Sequence, residues 1–305
     1  MLILTRDLEK SLFIAGKLNS NGIKNIISPM FKVEKELINE DFLLKTLKPL
    51  NFNFLQSFHK QDFGIVITSD NACDAIISLN PPKDTPIFSI SIRAVSKLIN
   101  NNFINIISAE EKNAKNLAQT IAKHYLDRDN VNKIQLKKSL LFYFCGNKVA
   151  VDLEAEIDKI FIQSYVEEKF KPKIISVIAY NAIEEHIFSK DFIELLENYV
   201  NLFFYNSSTL SEEAVYKNNA NIIMIPLFSS NSAKIFCQLL DGFVVKSFGN
   251  KSFSKVSLFL KEMLLIFCIS DSLLHEMNAK GFAKSYRFND LPFSKDVLDN
   301  LFLTY

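Results

Sequence analysis

Short apolar runs alternate with amphipathic stretches along most of the chain, and this alternation restricts the fold more than any other feature. Runs such as Leu2–Leu4, Phe63–Ile67 and Leu140–Phe144 have the length and composition of buried strands. The stretches after them carry apolar residues at the three- and four-residue spacing of helices. Because strands that alternate with helices form parallel sheets with helical crossovers, we predict an α/β protein.

The order of these elements predicts two domains, one inserted into the other. Four strands, each followed by a helix, lie between Phe63 and Phe161 and make a complete doubly wound domain. A later series of elements lacks an opening β-α-β unit, which the N-terminal residues supply. The predicted parts are a discontinuous domain of residues 1–33 and 181–305, an inserted domain of residues 38–173, and connectors at about 34–37 and 174–180.

One apolar run leaves the order of strands in the discontinuous domain open. Its predicted strands are Leu202–Tyr205, Ile222–Phe228, Phe243–Val245 and Leu264–Ile269, with helices between them. The first of these runs ends in Ser207 and Ser208, which compete with Ser229 and Ser230 for one position after a strand. The segment Phe31–Phe54 has alternating charge and weak periodicity, and we predict that it is a crossover between the domains.

Composition and local motifs exclude several classes of function. The 35 basic and 34 acidic residues leave a net charge of +1, which gives no support for general nucleic-acid binding. Only 7 glycines occur, and no Walker loop, dinucleotide fingerprint or Gly-x-Ser-x-Gly motif is present. The four cysteines are dispersed in apolar segments and the four histidines do not cluster, so we predict no metal site and no disulfide framework.

The N-terminus and the lengths of the apolar runs bear on location. Thr5, Arg6 and Asp7 interrupt the first apolar residues, so no signal peptide is predicted. No run approaches the roughly 18 uncharged apolar residues of a membrane span. We therefore predict a cytoplasmic protein without a membrane partner.

Hydroxyl and amide side chains follow several predicted strands. Thr68-Ser69-Asp70-Asn71-Ala72 follows one strand, and Phe228-Ser229-Ser230-Asn231-Ser232-Ala233 follows another, 160 positions later. The Ser or Asn of each motif can cap the next helix, whose free N–H groups then point toward the carboxyl edge of the sheet. Plain helix capping explains each motif alone, and their repetition indicates two similar halves.

In sequence order, several such segments together resemble uroporphyrinogen-III synthase. The residues that carry the resemblance are Ile3-Leu4-Thr5-Arg6, Val66 through Ala72, Ser108-Ala109-Glu110 with Asn113, Ala114 and Leu117, Phe144-Cys145-Gly146-Asn147, Val177-Ile178-Ala179-Tyr180, Leu227 through Ala233, and Phe267-Cys268-Ile269-Ser270. The resemblance covers most of the chain.

The resemblance implies two flavodoxin-like domains, joined by a two-strand connector, with the substrate bound between them. It implies a monomeric hydro-lyase of haem biosynthesis that uses no metal or organic cofactor. Such an enzyme cyclises hydroxymethylbilane, a linear tetrapyrrole with acetate and propionate side chains, and inverts the last pyrrole through a spiro intermediate. The first step is loss of hydroxide to give an azafulvene cation.

The resemblance implies a tyrosine near the crossover and the cleft, and Tyr180 lies at that place in the sequence. Tyr180 is therefore the predicted catalytic residue, whose phenol donates a hydrogen bond to the departing hydroxyl. The predicted substrate-binding residues are Thr5, Arg6, Thr68, Ser69, Asn71, Ser91, Gly146, Asn147, Ser229, Ser230, Asn231 and Ser270. Two of these assignments have structural alternatives, since Arg6 can pair with Asp7 or Glu9 and Tyr180 can anchor the connector.

The chain departs from the family pattern at two turns. Ile90–Val95 and Cys268–Ser272 both lack the glycine of the family, and the first also has alanine in place of threonine. Arg93 can compensate by binding a carboxylate, whereas Asp271 would repel a polyanion unless it turns away. Two alternatives therefore stay open: a non-catalytic two-lobed protein that binds or senses a small anion, and a degenerate homologue.

Overall fold

A computed structural model describes residues 1–39, 42, 63–111, 113–126, 140–149, 151–163, 171–207 and 222–290. These residues divide into two compact units. We call Val33–Ala182 the inserted unit, and Met1–Lys32 with the described residues from Ile183 onward the split unit. The inserted unit also contains the connectors predicted at 34–37 and 174–180. That each unit folds as a separate domain stays a prediction.

The strands are short and apolar, and every pair with an assigned register is parallel. They are β1 (Leu2–Leu4), β2 (Asn25–Ile27), β3 (Phe31–Lys35), β4 (Phe63–Ile67), β5 (Ile87–Ser89), β6 (Ile106–Ser108), β7 (Leu140–Gly146), β8 (Lys173–Glu184), β9 (Ile223–Leu227), β10 (Leu264–Cys268) and β11 (Ser285–Arg287). The α/β class with two doubly wound parallel sheets is confirmed.

Helices connect the parallel strands, as the alternation of the sequence predicts. They are α1 (Leu8–Ser20), α2 (Cys73–Leu79), α3 (Ile92–Ile99), α4 (Ala114–Leu126), α5 (Leu153–Gln163), α6 (Lys190–Ser207), α7 (Ser230–Phe248), α8 (Phe253–Met263) and α9 (Asp271–Ala279). Side-chain oxygens of Asp7, Ser91, Ser229 and Ser270 cap α1, α3, α7 and α9, respectively. These side-chain oxygens accept hydrogen bonds from backbone N–H groups that have no partner within the first turn of the helix.

Two predicted strands of the discontinuous domain are wrong. Leu202–Tyr205 lies inside α6, and Phe243–Val245 lies inside α7. A short apolar run does not distinguish a buried strand from a turn of buried helix, and in both places the run continues a helical pattern. Ser207 is therefore helical and does not follow a strand, whereas Ser208 lies outside the described residues.

Two strands were not predicted from the sequence. β3 occupies the start of the segment predicted as a crossover, Phe31–Phe54, much of which lies outside the described residues. β11 has only three residues and pairs with β10. Both strands have exposed or half-buried side chains, so their sequences carry little of the apolar signal of a strand.

The sheet of the split unit has the order β11-β10-β9-β1-β2. Counted along the chain within this unit, that order is 2-1-3-4-5, which is the flavodoxin order. A large apolar cluster on one face includes residues of α6, α7, α8 and α9. The other face packs against α1 through Ile14 and Leu18.

The sheet of the inserted unit has the order β3-β8-β7-β4-β5-β6. β3 is antiparallel to β8, because the bonds from Glu36 N to Ala179 O and from Glu185 N to Met30 O run in opposite chain directions. The five parallel strands follow the order 3-2-1-4-5 along this unit, which differs from that of the split unit. Their faces pack against α2 and α3 on one side and α4 and α5 on the other.

Candidate functional site

Each sheet has a place where successive crossovers turn in opposite directions. In the inserted unit it lies between β4 and β7, and in the split unit between β1 and β9. Ligands of open α/β sheets bind outside the carboxyl ends of the strands at such a switch point. We call the residues after β4, β5, β7 and at the end of β8 the inserted-unit edge, and those after β1, β9 and β10 the split-unit edge.

The inserted-unit edge collects seven of the predicted site residues. They are Thr68, Ser69, Asn71, Ser91, Gly146, Asn147 and Tyr180. The strands that carry them are neighbours and parallel, in the order β8-β7-β4-β5. Because carboxyl ends of adjacent parallel strands lie at one edge, these residues lie in one row.

Tyr180 occupies this edge because β8 changes register there. Cys145 pairs with Ile178, but Gly146 pairs with Tyr180, so one residue of β8 is skipped. A Cβ atom on Gly146 would lie 2.6 Å from Tyr180 Cε2 and 3.0 Å from its hydroxyl oxygen. The absent side chain of Gly146 therefore makes the space in which the ring of Tyr180 lies. Such irregularities re-aim side chains and are common beside active sites.

Asn147 holds the end of β8 against β7. Its backbone N–H donates to Tyr180 O at 3.1 Å, and its Oδ1 accepts from Ala182 N at 2.9 Å. The Asn147 side chain is thus partly used in the fold, although the residue is exposed. Its role is to fix the backbone on both sides of the Tyr180 position.

Two consecutive hydroxyl residues after β4 each contact a phenol. The Thr68 and Tyr143 hydroxyls lie 3.1 Å apart, and the Ser69 side chain lies near enough to the Tyr180 phenol to lower its pKa. Ser69 also accepts from Asn71 N at 3.3 Å and caps the 3₁₀ turn that precedes α2. The predicted capping role of Ser69 is confirmed, and its contact with Tyr180 joins β4 to β8.

Both phenols stay protonated over the ordinary pH range. Burial raises the pKa of Tyr180, the hydrogen bond from Ser69 opposes this rise in part, and nearby Cys145 and Asp70 add to it. Burial likewise raises the pKa of Tyr143 above its ordinary value, and the hydrogen bond with Thr68 opposes this rise only in part. Protonated phenols are hydrogen-bond donors, so both tyrosines offer donors at this edge.

An ion pair lies beside these hydroxyls. Arg93 Nη1, on α3, lies 3.6 Å from Asp70 Oδ2, and both side chains are about four-fifths buried. Ser91 caps α3 by accepting from Ala94 N at 3.2 Å, and its own N–H donates to Ser89 Oγ. The described residues of this edge therefore include a paired positive and negative group, of which Asp70 lies near the phenol of Tyr180.

The split-unit edge begins with Thr5 and Arg6. Thr5 is buried and its hydroxyl donates to Pro226 O at 2.6 Å, which ties β1 to β9. The Arg6 guanidinium lies 4.7 Å from the ring centre of Phe228. Asp7, one of the partners considered for Arg6, instead forms a buried ion pair with Lys10 at 3.2 Å. The donor of Thr5 is used within the unit, and Arg6 is placed by an aromatic contact.

The remaining predicted residues of this edge are helix caps or exposed polar residues. Ser229 accepts from Ser232 N at 3.1 Å, and Ser270 accepts from Leu273 N at 3.4 Å. Ser230 and Asn231 are exposed in the first turn of α7. Asp271, which would repel a polyanion, is paired with Arg287.

Two residues of the inserted-unit edge were not predicted as site residues. Tyr143 lies in the middle of an apolar strand, where an aromatic residue is predicted to belong to the core. Asp70 has the position of an ordinary acidic residue at the start of a helix. Only the register of β4 against β7, which pairs Val66 with Tyr143, shows that its hydroxyl reaches the strand end. No local sequence signal reveals either role.

Two searches of the described residues are negative. No group of three or more His, Cys, Asp or Glu residues in them is arranged to hold a metal ion. In the same part of the chain, no helix combines the length and apolar character needed to cross a membrane. His59 lies outside the described residues.

Comparison with known proteins finds similarity at the level of structure. No family model matches the sequence, and no curated protein matches it significantly. A uroporphyrinogen III synthase variant of Thermus thermophilus shares 9% identity at TM-score 0.45, covering 94% of this chain and 91% of its own. The uroporphyrinogen-III synthetase of Helicobacter pylori shares 12% sequence identity at TM-score 0.44, and the match covers 92% of each chain. A second structure of a Thermus thermophilus uroporphyrinogen III synthase shares 10% sequence identity at TM-score 0.33, covering 94% of this chain and 92% of its own.

Proposed function

We propose that this chain is a uroporphyrinogen-III synthase, a hydro-lyase that cyclises hydroxymethylbilane with inversion of the last pyrrole. The proposal rests on the sequence motifs that resemble this family and on the arrangement of the inserted-unit edge. The observation that carries it is the phenol of Tyr180, which lies beside Gly146, the last residue of β7, and near Ser69 and Asp70.

Tyr180 assists departure of the hydroxyl group in this proposal. The carbon–oxygen bond breaks with its electron pair on oxygen, and a hydrogen bond from the phenol stabilises the charge that develops there. Because burial raises the pKa of Tyr180, the phenol keeps its proton and acts as a hydrogen-bond donor more than as a full acid. The carbon fragment left behind is the azafulvene cation.

Binding of the substrate uses neutral donors and one arginine. Carboxylates accept hydrogen bonds from hydroxyl groups and free backbone N–H groups, both of which the strand ends supply. Arg93 adds a planar cation suited to a carboxylate, and the negative charge of Asp70 beside it favours the cation formed from the substrate. Little nucleophilic machinery is needed, since holding a flexible substrate in a reactive conformation supplies much of the acceleration.

The test is to mix the purified protein with freshly generated hydroxymethylbilane and to separate the product isomers. We expect the type III isomer, whereas the type I isomer forms spontaneously. Tyr180→Phe removes only the hydroxyl and is expected to lower kcat about 100-fold, in the lower range for acid assistance. Tyr286→Phe, an exposed tyrosine of β11, is the matched control. Type I isomer alone would refute the proposal, and tight binding without turnover would support the anion-binding alternative.

Monomeric state, cytoplasmic location and the absence of a cofactor belong to the same proposal. Sedimentation of the purified chain tests the first. Activity after exhaustive dialysis against a chelator tests the last, and unchanged formation of the type III isomer is expected.

A further inference from the structure

Tyr143 is a buried tyrosine whose hydroxyl meets the site. Its ring packs in the apolar cluster between the sheet and the helices α4 and α5, and the residue is 5% exposed. The only polar contact of its hydroxyl within the described part of the chain is the Thr68 hydroxyl, 3.1 Å away. Thr68 is half-buried at the strand end, so it is the more accessible member of the pair.

The two hydroxyl groups carry two protons, of which one forms the hydrogen bond between them. A phenol is the stronger acid and the weaker acceptor, so the favoured arrangement has Tyr143 donating to Thr68 Oγ1. The Thr68 proton then points away from Tyr143 toward the edge. Donation into Oγ1 also polarises the Thr68 hydroxyl and strengthens the hydrogen bond that it donates.

The pair is separate from the contact between Ser69 and Tyr180. Consecutive residues of an extended chain point to opposite faces. Tyr143 belongs to the cluster under α4 and α5, whereas Tyr180 packs against the cluster under α2 and α3. The inserted-unit edge therefore has one hydroxyl–phenol pair on each face of the sheet.

We infer that Tyr143 is a positioning residue, which orients the Thr68 hydroxyl as a donor to a carboxylate of the substrate. This inference rests on the proposed function and adds to it the means by which one substrate carboxylate is bound. Tyr143 touches Thr68 and not the substrate. Its effect belongs to substrate binding, whereas that of Tyr180 belongs to the chemical step.

A double-mutant cycle tests the inference with Tyr143→Phe, Thr68→Val and the combined variant. For hydroxymethylbilane we expect KM to rise about tenfold in Thr68→Val, which loses a hydrogen bond to a charged carboxylate, and about fivefold in Tyr143→Phe, which weakens that bond. In both variants kcat should change less than twofold. The combined variant should be no worse than Thr68→Val, since Tyr143 acts through Thr68. Thr68→Ser, which keeps the hydroxyl, should restore most of the affinity.

The control is Tyr199→Phe, which removes another buried phenol oxygen. The Tyr199 hydroxyl, on α6 of the split unit, has no hydrogen-bond partner among the described residues. We expect this variant to leave KM unchanged. If Tyr143→Phe does not fold, Thr68→Val and Thr68→Ser still measure whether the hydroxyl binds substrate.

Binding of uroporphyrin III, the air-stable oxidised form of the product, separates the two proposals. Its Kd, measured by fluorescence, should show the same coupling as KM. If the enzyme turns over but the effects of the two substitutions on KM are additive, or KM is unchanged in Tyr143→Phe, the role of Tyr143 is overturned and the synthase proposal stays intact. Coupled effects on Kd without turnover would refute the synthase activity and retain the carboxylate site. Absence of both turnover and binding would contradict both.

Discussion

The two edges begin from similar strand-end sequences but use them differently. At the split-unit edge, the Thr5 hydroxyl ties two strands together, and Ser229 and Ser270 cap helices. At the inserted-unit edge, the equivalent hydroxyls also reach the phenols of Tyr143 and Tyr180. The same residue types therefore mainly stabilise the fold in one unit and assemble a polar cluster in the other.

The difference comes from the strands beyond the switch point. β7 and β8 bring an aromatic hydroxyl each to the edge, and the register shift at Gly146 makes space for one of them. The corresponding strands β9 and β10 end in Leu227 and Cys268. In the proposed function, the chemical step therefore belongs to the inserted-unit edge.

The largest effect is expected from Gly146→Ala. The new methyl group would lie within 3.0 Å of three atoms of Tyr180 and displace its ring. Displacement of the phenol should lower kcat at least 100-fold, as in Tyr180→Phe, and overpacking should cost about 1–3 kcal/mol of stability.

The matched control for this change is Gly16→Ala on α1, where, among the described residues, nothing beyond the adjacent residues and the backbone of α1 itself lies within 4 Å of the new methyl group. It should keep full activity and increase stability by about 0.5–1 kcal/mol, because alanine favours a helix. Full activity in Gly146→Ala would show that the space for Tyr180 is unimportant for catalysis. Rates and thermal unfolding of both variants decide this.

A smaller effect is expected at the Arg93–Asp70 ion pair, where substitutions of the two residues should change KM in opposite directions. Arg93→Gln should raise KM about tenfold by loss of a charge-assisted hydrogen bond to a carboxylate. Asp70→Asn should lower KM, since it removes a negative charge near a polyanion, and should lower kcat because the cation loses its counter-charge. If the pair only stabilises the fold, both variants should change KM in the same direction, which steady-state kinetics would reveal.

The two capping serines give a direct comparison of the edges. Ser229→Ala removes the cap of a long helix and should cost about 1 kcal/mol, with KM raised only about threefold. Ser69→Ala removes the partner of Tyr180 and should lower kcat about tenfold with a smaller loss of stability. Denaturant unfolding and kinetics of both variants measure the contrast. Equal effects on kcat would remove the distinction between the two edges.

The smallest effect is expected from Asp74, which joins three elements of the inserted unit. It lies 2.8 Å from Lys35 of β3 and 2.5 Å from Lys97 of α3. Burial would raise the pKa of Asp74, but hydrogen bonds from these two lysines outweigh burial and lower it below 3.8. The stabilisation is therefore complete above about pH 5 and is lost as the pH falls below 3.8 through the lower folded-state pKa.

Because Asp74 is 40% exposed, solvent weakens these ion pairs to less than about 1 kcal/mol. Asp74→Asn should lower the free energy of unfolding by that amount at pH 7 and by less at pH 2, where the carboxylate gains protons. Urea unfolding at both pH values measures the difference. A constant difference across this range would contradict the assigned cause.

Prediction from the sequence succeeded where a pattern is local. The strand Phe63–Ile67 and the helix after it follow from a five-residue apolar run and a serine cap. It failed where the pattern is ambiguous, as at Phe243–Val245, whose apolar residues also fit the buried face of α7. It missed β11, because three residues with no buried side chain form a strand only through pairing with β10.

The same limit applies to the candidate site. Thr68 and Ser69 were predicted from their positions after an apolar run, and Tyr180 from the family resemblance, but their roles as site residues stay predictions. Tyr143 was missed, because its contact with Thr68 joins residues 75 positions apart. Such a contact depends on which strands are neighbours and in which register.

The sequence by itself determined the alternation of strands and helices, the helix caps and the placement of hydroxyl residues at strand ends, because these depend on neighbours a few residues away. Tertiary structure alone decided the different strand orders of the two sheets, the space above Gly146 and the partners of the two phenols. These features depend on hydrogen-bond register between distant segments, where a shift of one residue turns a side chain to the other face.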